Sequence, residues 1–212
     1  MRLHQWAILA ALTFCQSPAI AHEAWIDPAR YQVSPGASLS GHIRVGQLLK
    51  GNGQVFNPER FRRLDLIDSS GTRPVRGRLG DFPAIRVKLQ NEGLVTLVYQ
   101  SAGSRIRYDE PGKFENFANK EGVAWVLAAQ QQRGQDLEGF SETFYRHAKS
   151  LIAVGAGEGQ DRSLGLRFEL VLHDNPYLGA DSIRVQALSL TGKVRPQKKS
   201  LPFIRMASRV IS

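Results

Sequence analysis

Leu94-Val95-Thr96-Leu97-Val98-Tyr99 reads as a strand with apolar residues on both faces. A strand exposed on one face alternates apolar and polar side chains, so a run apolar at successive positions predicts a central strand covered on both sides. Around it, period-two alternation recurs at Leu64 and Leu66, at Ile85, Val87 and Leu89, and at Ile183, Val185 and Ala187. Residues 164–172 (LGLRFELVL) and 150–154 add two further strands. Gly and Pro separate them, at Pro35-Gly36, Ser70-Gly71, residues 91–93 and residues 155–159. Several short strands with turn residues between them predict a mainly β chain built as an Ig-like β-sandwich.

One stretch changes period. Asp109 can cap a helix with Pro111 in its first turn, and Gly134 can end it. Between them Phe114, Phe117, Ala118, Ala124, Trp125 and Ala128 recur at helical spacing. The pattern predicts one amphipathic helix over about 110–133, inserted in the sandwich and lying against it, with its aromatic stripe in the core.

The first residues read as an export signal. Arg2 precedes an apolar run over residues 6–14, and Ala19-Ile20-Ala21 places small residues where a signal peptidase reads them. The run is about nine residues, against about 20 for a membrane span. Residues 1–21 are therefore expected to be cleaved, leaving 191 of the 212 residues and a mature start at His22. A lipoprotein acylated at Cys15 is the rival, and Phe14 is too bulky for that processing. Cys15 is the one cysteine in the sequence, so a chain starting at His22 has no thiolate for catalysis or metal binding. Export without disulfides points to a periplasmic or secreted location, and no later segment is apolar enough to span a membrane.

Formal charge is +9, or +8 without Arg2. The basic residues are spread along strands, as in Ile85-Arg86-Val87-Lys88-Leu89, with no dense block interleaved with aromatics. The pattern argues against a nucleic-acid partner. No catalytic motif appears. Gly36-Ala37-Ser38-Leu39-Ser40 lacks the second glycine of a nucleophile elbow. Gly155-Ala156-Gly157-Glu158-Gly159 lacks the Lys and hydroxyl residue of a P-loop.

The histidines carry the chemistry that remains: His22, His42, His147 and His173 are the candidate metal ligands. At a mature N-terminus His22 offers an α-amine and an imidazole, which together close a chelate ring. Both lose protons near neutral pH, at about 7.7–8.0 and about 6.5. Nitrogen donors suit Cu(II) and Ni(II). His42 lies in the first strand after Gly41, where it could reach the N-terminal end of the sheet. His147 reads as a surface imidazole, and His173 precedes the turn Asp174-Asn175-Pro176. Each of these three also has a plain structural or solvated reading.

Four stretches together resemble a family of exported bacterial proteins of unknown function, often labelled as periplasmic components of nickel or cobalt uptake. They are His22-Glu23-Ala24-Trp25-Ile26-Asp27-Pro28, then residues 114–122 (FENFANKEG), 142–155 (ETFYRHAKSLIAVG) and 168–177 (FELVLHDNPY). Ala24 stands where the family has an aromatic residue, and Leu172 where proline is common. The resemblance implies a metal-related role, for nickel or cobalt, with His22 in the leading position and a membrane uptake transporter as partner; copper is a candidate through the nitrogen donors alone. It also implies a sandwich domain over 22–163 and, from 164 to 212, the start of a second, transthyretin-like β-domain. After Lys193 the basic tail departs from the family, so this second domain is expected to be truncated, leaving residues 182–190 as an unpaired strand. Two rivals stand beside the metal reading. One is a non-metal module for a carbohydrate or protein partner, with Trp25, Tyr31, Tyr99 or Tyr108 as its exposed aromatics. The other is a copper enzyme, which needs a second histidine close to His22.

Overall fold

The computed structural model describes residues 23–189. Its strands are β1 (Glu23–Pro28), β2 (Gln32–Val33), β3 (Ser38–Gln47), β4 (Lys50–Gln54), β5 (Phe61–Asp68), β6 (Gly71–Pro74), β7 (Ile85–Lys88), β8 (Gly93–Ser101) and β9 (Ser104–Tyr108). Two helices follow, α1 (Lys113–Lys120) and α2 (Trp125–Gln132), and then β10 (Phe140–Phe144), β11 (His147–Val154), β12 (Phe168–Leu172) and β13 (Val185–Ser189).

Two sheets form the body. In the first, β3 pairs with β1 on one edge and with β4 and β7 on the other; the second has the order β2-β11-β8-β5-β6. The chain leaves β1, antiparallel to β3, and within a few residues enters β2, parallel to β11. A first strand divided in this way between two sheets, one part antiparallel and the other parallel to the last strand, gives the expected Ig-like sandwich its topology.

β8 is central, flanked by β11 and β5. Its Val95, Leu97 and Tyr99 face inward with Leu64, Leu66, Ile152 and Val154, against Ile26, Leu39, Ile43 and Ile85 of the other sheet. Each such side chain contributes about 1.5–3 kcal/mol by leaving water. The opposite face of β8 is covered too: Val98 packs with Ile67 and Leu166, and Leu164 lies against them. That cover explains why residues 94–99 carry apolar side chains on both faces, Thr96 being the one hydroxyl among the aliphatic residues. Residues 164–167, expected to begin a strand, form this cover, and the strand starts at Phe168.

β8 and β11 run on into β9 and β10, which pair as a two-stranded ribbon carrying the helices at its tip. The expected single helix is two. At Gly122, φ is +71°; Gly122 N–H donates to Asn119 O and Val123 N–H to Ala118 O, the double bond by which a left-handed glycine closes a helix. The helix pair packs on the ribbon. Tyr108 lies 4.9 Å from Phe114 and 5.1 Å from Phe140 between ring centroids, and Phe114 meets Phe140 edge-on at 4.9 Å. These rings form a second small core.

β12 and β13 form another antiparallel ribbon, with Phe168 opposite Ser189 and Leu172 opposite Val185. The strand expected to stand unpaired therefore has a partner. Residues 1–21, read above as a signal, His22 and the tail from residue 190 lie outside the described residues.

Candidate functional site on the outer face of the first sheet

Alternation along β1 turns Ala24 and Ile26 towards the core side and Glu23, Trp25 and Asp27 to the outer face. Register places Trp25 opposite Arg44 and Asp27 opposite His42 on β3. Arg44 Nε donates to Asp27 Oδ2 at 2.7 Å, tying the two strands diagonally. The His42 ring packs at 4.7 Å from Phe82, contributed by the loop before β7.

Five buried side-chain polar atoms lack a hydrogen-bond partner among the described residues, and three lie on this face: Glu23 Oε2, Trp25 Nε1 and His42 Nδ1. A buried polar atom left unpaired costs about 1–3 kcal/mol, so such atoms mark places where a ligand, ion or partner completes the structure. Here they comprise a carboxylate acceptor, an indole donor and an imidazole nitrogen that serves as either.

The three described histidines, His42, His147 and His173, do not converge. Asp27, and with it His42, lies four residues along β1 from Glu23, about 13 Å at strand rise. His42 is held against Phe82, out of reach of an ion at Glu23. His147 is on β11, on the side of that strand that carries Lys149 and away from the core that takes its neighbour Ala148. It thus faces outward from the second sheet, while His42 faces outward from the first. It is half-buried, with Nε2 enclosed and unpaired, rather than a surface imidazole. Burial, then the positive charge of Arg167, lowers its pKa from the ordinary 6.5. His173 is exposed at the end of β12, its Nε2 3.1 Å from Gln186 Oε1. No three His, Cys, Asp or Glu side chains gather into a metal-binding group among the described residues. The sandwich thus distributes His42, His147 and His173 over different faces, so these three do not form one shared site.

His147 makes stability pH-dependent. A histidine whose folded pKa is lowered favours folding while neutral, and that contribution fades as pH falls below about 6.5. The urea midpoint is therefore expected to drop between pH 7.5 and 5.5, and His147→Gln is expected to flatten part of that drop. An unchanged slope in the variant would remove His147 from the explanation.

The stretches that carry the family resemblance act as fasteners. Lys149 Nζ, almost fully buried, forms an ion pair with Asp161 Oδ1 at 2.9 Å and donates to Glu169 Oε1 and to Arg162 O, both at 3.2 Å. Glu169 also accepts from Leu164 N–H at 2.8 Å and from the Ser163 hydroxyl at 3.1 Å. Asn175 Nδ2 donates to the carbonyls of Gly157 and Gly159, at 2.8 and 2.9 Å, and the Tyr177 hydroxyl donates to Leu151 O at 2.6 Å. Asp174 takes three bonds from Arg184, which hold its carboxyl down at about 2. The Tyr108 hydroxyl donates to Glu142 Oε1 at 2.7 Å in the second core. Burial, with this bond to Glu142, pushes the Tyr108 hydroxyl well above its ordinary pKa.

Of the aromatic candidates, Tyr99 and Tyr108 are buried in the two cores, leaving Trp25 and Tyr31. Sequence reading missed Phe82, which a long loop brings to His42. The one available signal was an apolar ring in a stretch otherwise rich in Arg and Gly.

The chain belongs to the family described as Domain of unknown function (DUF4198), which it matches over residues 19–200. No curated protein and no solved structure matches it. No helix among the described residues is long and apolar enough to cross a membrane.

Proposed function

We propose that the chain is an exported, periplasmic metal-binding accessory protein serving nickel or cobalt uptake, working with a membrane transporter. On this reading the metal sits at the N-terminal end of β1. The observation that supports it is Glu23 Oε2, a buried carboxylate oxygen without a partner, one residue after His22. A mature N-terminus at His22 would bring an amine and an imidazole beside that oxygen, a nitrogen and oxygen donor set that a divalent ion of the nickel, cobalt or copper series accepts. Residues from 164 onward would begin a second β unit, with β12 and β13 its first strands. Loading protein that begins at His22 with Ni(II) tests the role of Glu23. Glu23→Gln is expected to weaken binding about tenfold, and an unchanged affinity would exclude this carboxylate from the site.

A second reading is favoured by a different observation. Trp25 Nε1 and His42 Nδ1, both unpaired, share the outer face with Phe82, and such a mixture of aromatic surface and free polar atoms suits an organic ligand, as in a carbohydrate-binding module. Trp25→Phe would then abolish sugar binding while leaving the Ni(II) affinity intact.

A further inference from the structure

α2 leaves its largest apolar side chain outside. Its sequence Trp-Val-Leu-Ala-Ala-Gln-Gln-Gln is apolar over five residues, yet its one buried side chain is Gln130, and Trp125 is 46% exposed. A surface helix ordinarily buries its apolar stripe and shows its polar face. The segment around it is acidic. Residues 109–139 carry six Asp or Glu and three Lys or Arg, a net −3. The whole sequence is +9, so the remainder is +12.

A surface of the opposite kind is formed by the loop between β6 and β7 and the residue that follows β4. Val55, Leu79 and Phe82 are 49%, 74% and 55% exposed. They are drawn together because Phe56 N–H donates to Asp81 O and Gly80 N–H to Phe56 O, both at 2.9 Å. Arg76, Arg78 and Arg86 surround them, exposed, and Asp81 is the single acid of that loop. The two surfaces are opposite in charge: an exposed tryptophan in a segment that is net acidic, and exposed apolar residues in a loop that is net basic. Both stay exposed in the same chain, so neither covers the other within one molecule.

We propose that they meet between molecules: the α2 tip of one copy docks, through Trp125, on the Val55–Leu79–Phe82 surface of a second copy. The contact is heterologous, using two different surfaces, and grows with concentration unless rotation closes it into a ring. Opposite charge around apolar centres speeds encounter and fixes orientation, and an exposed tryptophan is the residue type that most often dominates such contacts.

Sedimentation of the full mature chain tests this. Association is expected near 0.01 M salt and is expected to weaken towards 1 M, as the Debye length falls from about 30 to about 3 Å. Trp125→Glu and Leu79→Glu should each weaken it by about thirtyfold, as loss of a hot-spot residue does. Leu79 lies in a loop, so its variant tests the contact without touching the helix. Mixing the two variants should restore a one-to-one pair, since each supplies the surface that the other lacks. A chain that stays single at every concentration would overturn the proposal. So would association that survives either substitution, or that is lost in both and not restored by mixing.

Discussion

Lys149→Met is expected to lower the unfolding free energy by about 3–5 kcal/mol, because it leaves the carboxylates of Asp161 and Glu169 buried and uncompensated. Their side chains are 2% and 1% exposed, so water does not reach them to replace the lost ammonium. For a domain of this size the loss corresponds to a melting temperature lower by about 10 °C. Calorimetry or urea unfolding reads it directly. The site is also a fastener: Asp161 Oδ2 accepts from Leu172 N–H at 3.0 Å, so the variant should loosen β12 first. Protease cleavage within residues 155–172 is expected to rise before the sandwich unfolds. A drop below about 1 kcal/mol would mean that the three charges are solvated.

Tyr108→Ala should have the second large effect, about 3–5 kcal/mol for removing a fully buried aromatic side chain, and it should fall on one part of the molecule. Tyr108 is the ring that touches Phe114, Phe117 and Phe140 at once, and its hydroxyl donates to Glu142. Without it α1 keeps on the ribbon only the edge-on contact of Phe114 with Phe140, and isolated helices of eight residues do not hold in water. The expected result is loss of helical circular dichroism with retention of the cooperative unfolding of the sandwich. Simultaneous loss of both would show that the two cores are one folding unit.

How far sequence led depended on how local the determining interaction was. The central position of β8 was readable because residues 94–99, apolar but for Thr96, report two covered faces without reference to any partner. The broken helix was readable only in part. Phe114, Phe117 and Ala118 keep helical spacing into Ala124 and Trp125, and the period continues across the break; the determining residue, Gly122, signals a stop only when its left-handed backbone is known. The fastening of Lys149 to Asp161 and Glu169 joins residues 12 and 20 apart in sequence, and no periodicity announces it. For the candidate site, sequence marked Glu23 and Trp25 only as neighbours of His22 in the family motif; that they share a face follows from the strand they form. The separation of His42, His147 and His173 depends on which strand enters which sheet, a property of the topology. Phe82 reached His42 through a loop, where sequence spacing carries no distance.

The measurement that bears most directly on the proposed function is titration of Cu(II) and Ni(II) into protein beginning at His22, beside the same chain with one residue placed ahead of it. The added residue removes the histidine α-amine and leaves every described strand unchanged. The account predicts tight one-to-one binding in the first protein and its loss in the second. Equal binding in both, or none in either, would contradict a metal site at the start of β1.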